Sequence, residues 1–338
     1  MAVLNLITDV PGVRVGNAAD ASVITGVTVA LFDAPSIASG VTRGGAPGSR
    51  DTTLLEPEMT ATGVDAVVLS GGSLFGLDAA GGVANFLRGK GVGLRIGPAN
   101  VPLAVEAITF DLLNGGDKAW ADKPPYFRLG WEAAEAAKSG PFPLGTTGGG
   151  YGTTTANLKG GLGSASTRTP SGFTVGALAV VNAVGAVTVG DGPHFWAAPV
   201  EAGTEFGGAG FPSRLAPGDL ALRMKGGAPP STTIALVATD AILTKAQAKR
   251  IAIMADDGLA RAVRPAHAPM DGDTVFAVST CRRPLGEPLT ALTELGLAAA
   301  DCLARAIARG VYEATRPEGP YTGPPPYRER FPHAFGKP

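Results

Sequence analysis

The junction between a proline- and glycine-rich segment and an apolar run carries a residue type that can act as a nucleophile. Thr232 follows Pro230 and Ser231 and opens the run TTIALVAT. If the Ser231–Thr232 peptide bond were cut, Thr232 would carry both a hydroxyl and a free α-amine. The ordinary pKa of an α-amine, about 7.7–8.0, lets it take the hydroxyl proton near neutral pH. The alternative is that the Ser-Thr-Thr sequence is an ordinary polar start of a strand.

A second pattern, Asp271-Gly272-Asp273, stands just before another apolar run. If this segment is extended, the period of two places both aspartates on one side. Paired carboxylates beside a terminal amine could orient it and stabilise the charge it gains as it accepts a proton. The same pattern is compatible with a β-turn. A calcium loop is disfavoured because the following residues, TVFAVST, lack the late glutamate of that motif.

Three glycine-containing segments offer weaker candidates. The run of residues 148–161, which starts at Gly148 and contains Lys159, has enough glycine for its backbone to approach a ligand or another strand. Arg43 and Arg50 flank a turn and could pair with a substrate carboxylate, or could be solvated. The turn SGGSLFG (70–76) lies where a phosphate loop would, but it fits neither GxGxxG nor a P-loop, so close packing of a helix on a sheet is favoured.

The composition excludes several classes of function. Lys plus Arg is 28 and Asp plus Glu is 29, a net charge of −1 that disfavours nucleic acid and anionic membranes as partners. The only histidines are His194, His267 and His333, which lack metal-site spacing and are expected in surface or packing roles. Two cysteines exclude a disulfide scaffold. We expect no metal or other cofactor, and a cytoplasmic location.

The elements that must position these residues mix strands and helices. Runs such as 64–70, 173–181 and 274–280 predict strands, and residues 77–87 and 130–138 predict helices. Thr244 and Gln247 have capping-box spacing at the start of a third helix, and a fourth should run from about Thr290 to Arg309 and stop at Gly310. This order favours an α+β layered fold over a doubly wound parallel sheet. Residues 199–230 predict a long irregular loop.

Eight segments, in order, resemble the L-aminopeptidase/D-esterase (DmpA-type) and β-peptidyl aminopeptidase family, which includes the nylon-oligomer hydrolases. They are ITDVPGVRVGNA, GVTVALF, RGGAPGSRD, VVLSGGSLFGLDAAGGV, FDLLNGGDK, KGGLGSAS, STTIALVATD and MDGDTVFAVST. The resemblance implies a four-layer αββα sandwich of the N-terminal-nucleophile hydrolase type, shared with ornithine acetyltransferase. It also implies one catalytic domain, 1–316, that cuts itself into 1–231 and 232–316 plus a proline-rich tail, 317–338, without helix or sheet.

The resemblance also implies roles for single residues. Thr232 and the two aspartates match the nylon-oligomer branch, where Thr232 would be the nucleophile after cleavage between Ser231 and Thr232. Asn182 matches an asparagine that donates into the oxyanion hole, and Lys159 matches an active-site lysine. Phe110 replaces a tyrosine of the family, so that hydroxyl is missing, and Ser231 replaces an asparagine or glycine.

The function implied is hydrolysis of amide or ester bonds in small aminoacyl or oligoamide substrates by a homo-oligomer, expected to be a tetramer of cleaved protomers. We assign substrate binding to three positions, Phe110, Arg43 and Gly148. Two alternatives remain from the sequence: an acyltransferase resembling ornithine acetyltransferase, and a small-molecule or nucleotide-binding protein without covalent chemistry.

Overall fold

The structure is a computed structural model and describes residues 3–226 and 230–334. Its strands are β1 (Val13–Asp20), β2 (Thr25–Thr42), β3 (Ser49–Arg50), β4 (Val64–Ser70), β5 (Leu94–Ile96), β6 (Ala99–Val101), β7 (Ala104–Ile108), β8 (Gly161–Arg168), β9 (Thr174–Asn182), β10 (Thr232–Ala241) and β11 (Thr274–Arg283). Its α-helices are α1 (Ala79–Gly89), α2 (Tyr126–Glu135), α3 (Lys245–Ala262), α4 (Pro288–Tyr312) and α5 (Tyr327–Arg330). Residues 201–226 form neither helix nor strand, as the sequence predicts.

The long strand β2 connects two layers of sheet. Its first half pairs with β1 and β4, and β7 and β3 extend that layer. The β2–β4 register shifts between Leu31 and Ser36, and the second half of β2 pairs instead with β11. The strand order there continues through β10 and β9 to β8. Since β10 and β11 are parallel neighbours while β9 and β10 are antiparallel, the strand starts of β10 and β11 lie at one edge beside the end of β9.

Three separate hydrophobic cores show that the two sheet layers are stacked between two pairs of helices. One core joins the β8–β11 layer to α3 and α4, the second lies between the layers, and the third joins the β1–β4–β7 layer to α1 and α2. Alternation along β10 shows this directly: Ala235 and Val237 belong to the helical core, whereas Ile234 and Leu236 belong to the core between the layers. The predicted four-layer αββα sandwich is confirmed.

The helix predictions hold with shifted ends. The capping box of Thr244 and Gln247 is present at the start of α3. The predicted stop of α4 at Gly310 is wrong, because the helix continues to Tyr312. Gly310 instead allows a close helix–strand approach, since a Cβ at Gly310 would lie 2.9 Å from the Gly163 backbone nitrogen. Glycine at position 310 therefore allows α4 to pack on the sheet and does not end the helix.

This close approach predicts a large stability effect at Gly163. A Cβ there would lie 1.8 Å from the Ala306 carbonyl oxygen, so Gly163→Ala must push α4 away from β8. We expect the free energy of unfolding to fall by about 1–3 kcal/mol, as overpacked cores do. The matched control is Gly89→Ala at the end of helix α1, where an added Cβ would face open space. This variant should leave the free energy of unfolding unchanged or raise it by about 0.5–1 kcal/mol. Equal denaturant midpoints for the two variants would contradict this packing.

The segment predicted to be a tail is built into the fold. Residues 327–330 form helix α5, so the prediction that this segment lacks a helix is wrong. Tyr327 is fully buried in the core beneath α4, stacks on Phe195 at 4.7 Å and donates its hydroxyl to the Pro193 carbonyl at 2.6 Å. Pro325 accepts the Lys159 backbone N–H at 2.9 Å. Aromatic burial therefore fixes the segment against the main domain.

Candidate active site

Thr232 is the first residue of β10 and is buried at the end of the space between the two sheet layers. The chain is continuous from Ser231, whose N–H donates to the Met270 carbonyl at 3.0 Å. The Gly272 N–H lies 2.9 Å from the Ser231 carbonyl oxygen and 3.2 Å from Thr232 Oγ1. Thr232 Oγ1 itself donates to the Ser231 carbonyl oxygen. A hydroxyl, a peptide carbonyl and an N–H donor therefore meet at the predicted cleavage bond.

The glycine of Asp271-Gly272-Asp273 is required by this close approach. A Cβ at Gly272 would lie 2.8 Å from Thr232 Oγ1 and 2.8 Å from the Ala46 carbonyl oxygen. A side chain would therefore displace the N–H from the peptide carbonyl that it serves. The close approach of backbone to Thr232 thus explains the glycine between the two aspartates.

Both aspartates are buried beside Thr232. Asp271 accepts from the Ala268 N–H at 3.0 Å and from the Val184 N–H at 3.3 Å. Burial, with the nearby charge of Asp273, raises the pKa of Asp271 to about 6. Asp273 accepts the Thr233 N–H at 2.7 Å, which ties it to the residue after the candidate nucleophile.

Asn182 lies directly opposite Thr232 in the antiparallel β9–β10 pair, so the two side chains share a face. Its Nδ2 donates to the Phe110 carbonyl at 2.9 Å, and its Oδ1 accepts from the Thr154 N–H at 3.0 Å. Lys225 Nζ lies 3.1 Å from the same Oδ1. These contacts fix the amide with its nitrogen toward the Phe110 side.

Two lysines near this end of the sheets have weakened basicity. Lys159 is fully buried and donates to the Gly150 carbonyl at 2.9 Å and to the Gly160 carbonyl at 3.0 Å. Burial lowers the pKa of Lys159 to about 7, and desolvation does the same for the pKa of Lys225, again to about 7. Each ammonium can therefore lose a proton near neutral pH.

A cavity of about 350 Å³ lies next to this cluster, because Lys225 and Thr154, which both contact Asn182, are in its wall. Its wall combines the segment after β7, the glycine-threonine turn, the segment before Thr232 and the chain end: Phe110, Asp111, Leu113, Asn114, Gly152, Thr154, Thr155, Ala156, Lys225, Gly226, Pro230, Gly323 and Pro324. The volume is in the range of small-molecule sites. Phe110 lies in this wall, and its role in substrate binding stays a prediction.

Arg43 and Gly148 lie elsewhere. Arg43 Nε is 3.7 Å from Asp256 Oδ2, and Arg43 is not among the residues of the cavity wall. A Cβ at Gly148 would meet Thr28 Oγ1 and Asn17 Oδ1 at 2.2 Å, so this glycine permits strand packing. Neither residue lines the cavity that contains Phe110, and their role in substrate binding stays a prediction. The structure shows the pairing with Asp256 for Arg43 and the crowded backbone for Gly148.

The turn SGGSLFG also serves packing. The Gly72 N–H donates to Asp111 Oδ1 at 2.8 Å, and a Cβ at Gly72 would lie 2.1 Å from the Tyr126 ring. A carboxylate already occupies the backbone donor that a phosphate would use. Within the described ranges, no group of three or more His, Cys, Asp or Glu side chains could hold a metal ion.

Sequence reasoning missed His267 and Lys225. His267 Nδ1 lies 3.0 Å from Asp273 Oδ2, and Lys225 Nζ contacts both oxygens of Asn182 at 3.1 Å. The two residues stand in segments without periodic pattern, so no spacing indicated them. For His267, its position four residues before Asp271 was the one available signal.

Solved structures of two aminopeptidases share this architecture. A β-aminopeptidase of a Burkholderia species has a TM-score of 0.69 at 22% identity, with 100% of this chain and 96% of that chain covered. The L-aminopeptidase D-Ala-esterase/amidase of Ochrobactrum anthropi, described as a variant of the Ntn hydrolase fold, has a TM-score of 0.65 at 22% identity, covering 98% and 93%. The fold is that of the N-terminal-nucleophile hydrolases.

The sequence comparisons define the family within that class. Residues 5–322 match Peptidase family S58, and the chain belongs to it. An uncharacterized aminopeptidase of Mycobacterium bovis is 42% identical over 98% of this chain and 100% of its own length. A 6-aminohexanoate-oligomer endohydrolase of a Kocuria species is 28% identical over 80% of this chain and 74% of its own length. The predicted family is confirmed, and with it the class of enzyme, a hydrolase of peptide bonds.

Among the helices within residues 3–226 and 230–334, none is long and apolar enough to span a membrane.

Proposed function

We propose that this peptidase is made as an inactive chain and activates itself by cutting between Ser231 and Thr232. Thr232 Oγ1 attacks the Ser231 carbonyl carbon, the C–N bond breaks, and the acyl group moves from nitrogen to oxygen as an ester. Water then hydrolyses the ester, which leaves a carboxylate on Ser231 and a free α-amine and hydroxyl on Thr232. The products have 231 residues before the cut and 107 after it.

The observation that carries this proposal is the position of the Gly272 N–H. It lies 2.9 Å from the Ser231 carbonyl oxygen, where negative charge would develop during the attack, and 3.2 Å from the attacking Thr232 Oγ1. A backbone donor aimed at a developing oxyanion is a large source of rate acceleration, and removal of one such donor costs about 10²–10³ in rate. The uncut chain thus has nucleophile, electrophile and charge stabiliser in contact.

In the cleaved enzyme we assign the base to the α-amine of Thr232. The amine takes the Oγ1 proton as the hydroxyl attacks a substrate carbonyl, and then delivers it to the leaving amine. Asp271 and Asp273 orient the amine and stabilise its charged form. Asn182, on the same face as Thr232, donates to the tetrahedral oxyanion, and Lys159 supports the same pocket by holding the carbonyls of Gly150 and Gly160.

The proposed substrates are short aminoacyl amides, esters or linear oligoamides. The cavity of about 350 Å³ suits one or two such residues, with Phe110 and Leu113 as apolar walls. The test is a panel of L-, D- and β-aminoacyl p-nitroanilides, amino-acid esters and 6-aminohexanoate oligomers offered to cleaved protein. Release of product from at least one class supports the proposal, and inertness of a fully cleaved sample toward all of them would contradict it.

The acyltransferase alternative is separated by its acceptor. An acyl-enzyme offered water and ornithine together should release free acid if the chain is a hydrolase. Acyl-ornithine as the main product would favour the acyltransferase. Saturable nucleotide binding by a chain that never cleaves would favour the non-catalytic alternative, although the occupied Gly72 N–H argues against it.

The two fragments should stay associated because buried contacts cross the proposed cut. Glu205 lies before it, and Arg305, after it, donates to both Glu205 oxygens at 2.5 and 3.0 Å. We expect Glu205→Gln to lower the free energy of unfolding by about 3–5 kcal/mol, because it leaves a buried guanidinium without its counter-charge. Asp33→Asn is the matched control, since the Arg14–Asp33 pair is exposed and should be worth less than about 1 kcal/mol. Similar losses in urea denaturation would contradict the role of Glu205.

We further propose that cleaved protomers assemble as a homotetramer in the cytoplasm, without nucleic acid or membrane as partners. The homotetramer is what the family resemblance of the sequence segments implies. The near-zero net charge supports the absence of a nucleic-acid partner. Light scattering of purified protein measures the mass, which should be four times that of the cleaved protomer.

A further inference from the structure

His267 is held between two buried carboxylates, one of which belongs to the proposed active site. Its Nδ1 lies 3.0 Å from Asp273 Oδ2, and its backbone N–H donates to the same oxygen at 3.0 Å. On the other side of the ring, Nε2 lies 3.3 Å from Asp256 Oδ2 on α3. Less than a tenth of the surface of each aspartate side chain is exposed, and the His267 side chain is 23% exposed. The ring therefore bridges α3 to Asp273.

Asp273 in turn contacts the residue beside the nucleophile. Its second oxygen, Oδ1, accepts the Thr233 N–H at 2.7 Å. The contacts form one line, from Asp256 through His267 and Asp273 to the backbone of β10. A ring that is a donor at both nitrogens fits this line, because both neighbours are carboxylates and an imidazolium has two N–H groups.

The other charged groups around this line lie further out. Arg43 Nε is 3.7 Å from Asp256 Oδ2, so Asp256 has a second cation. Arg261 and Arg264 line a cavity of about 290 Å³ that reaches His267 from the side of Trp196. Asp271 lies on the Thr232 side of Asp273 and is a second negative charge close to it. Lys225 is a cation close enough to Asp271 to oppose this charge, and His267 is the group that contacts Asp273.

We propose that His267 is a positioning residue which, as an imidazolium held between Asp256 and Asp273, keeps Asp273 ionised and fixed against the β10 backbone while the pair binds its proton on Asp271. This inference rests on the proposed role of the two aspartates. It gives the two carboxylates different roles: Asp273 is held by His267 and the β10 backbone, and Asp271 is the carboxylate that exchanges the proton. The hydrogen bonds to the two carboxylates raise the pKa of His267 to about 10, against burial, which lowers it.

The backbone at His267 makes a clean variant available. Its φ is +56°, a conformation that asparagine tolerates better than most residues. His267→Asn can keep a donor near the position of Nδ1 while it removes the charge, and His194→Asn is the matched control, because His194 Nδ1 contacts only the Gly210 carbonyl among the hydrogen bonds that the structure describes for it.

Removing the imidazolium should shift the acid limb of the rate–pH profile to higher pH. The aspartate pair would take up its proton at higher pH, and a more negative site would also hold a proton on the Thr232 amine more tightly. Both effects have the same sign. We expect the acid limb of kcat/KM in His267→Asn to move up by about one pH unit relative to wild type, and that of His194→Asn to stay in place. Coincident limbs for all three proteins would overturn the proposal.

A second readout does not depend on catalysis, and its main measurement is made on the wild-type protein. The chain has three histidines, so ¹⁵N-histidine NMR of the wild-type protein gives three ring systems to follow. One ring should remain an imidazolium at about pH 8, well above the ordinary histidine pKa of about 6.5, and that ring should be lost in His267→Asn and titrate at lower pH in Asp256→Asn. If all three rings titrate near their ordinary value, the proposal is wrong even when the enzyme is active. If the ring stays charged in protein that neither cleaves nor hydrolyses, the proposed function fails and the charge state of His267 stands.

Discussion

Thr232→Ala is expected to remain a single uncut chain of 338 residues and to hydrolyse no aminoacyl amide above background. The variant lacks the hydroxyl that attacks the Ser231 carbonyl, so neither the cut nor the free α-amine forms. We expect the rate on the best substrate to fall by at least about 10⁴-fold, as losses of a nucleophile do. Intact-mass measurement and a p-nitroanilide assay on the same sample report the two effects together.

Two other variants make this result specific. Thr232→Ser keeps a hydroxyl at the same place and should cleave itself in part. Thr188→Val removes a buried threonine hydroxyl for which no hydrogen-bond partner is found in the described part of the chain, so it should cut and hydrolyse like wild type. A cleaved, active Thr232→Ala protein would rule out Thr232 as the nucleophile.

Asp271→Asn should have the second largest effect and should change the pH profile as well as the rate. An amide is neutral and cannot stabilise the protonated α-amine of Thr232, so we expect kcat/KM to fall by about 10²–10⁴-fold. In wild type, burial raises the pKa of Asp271 to about 6, so the carboxylate is lost as the pH falls through that value. The plot of log(kcat/KM) against pH should therefore steepen below about pH 6, where both the amine and Asp271 are protonated.

That steeper region should be absent from the residual activity of Asp271→Asn, because the amide does not titrate. Asp65→Asn is the matched control: Asp65 is a buried carboxylate at the start of β4 and binds the Leu103 N–H at 2.8 Å, outside the cavity walls. It should keep both the rate and the steep region. A wild-type profile with a single slope down to about pH 5 would contradict the assignment of Asp271.

The layers of the fold could be predicted because the apolar runs are long and the family segments occur in order. Strand β4 has the predicted bounds, and the capping box fixes the start of α3. The end of α4 could not be predicted, since glycine at a helix end and glycine at a close helix–strand contact look alike in a sequence. Gly310 has the second role. Likewise, the aromatic residues of the chain end gave no sign that Tyr327 is buried against Phe195.

Some residues of the candidate site could likewise be predicted from the sequence, and others could not. Thr232, Asp271 and Asp273 stand at strand starts, where local pattern is informative, and the structure brings them together. The role of Arg43 depends on Asp256, more than two hundred residues away in the chain, and the role of His267 depends on both Asp256 and Asp273. Only tertiary packing could reveal such partners. A lone histidine in an unpatterned loop therefore carried no sequence signal of the contact it makes.

N-terminal sequencing of a purified, catalytically competent sample tests the central claim most directly. Activation by cleavage of one peptide bond predicts two sequences, one from the start of the chain and one that begins Thr-Thr-Ile-Ala-Leu, in equal amounts and with activity that rises in step with the second. An active sample that yields only the sequence from the start of the chain would show that catalysis needs no new terminus and would contradict activation by cleavage.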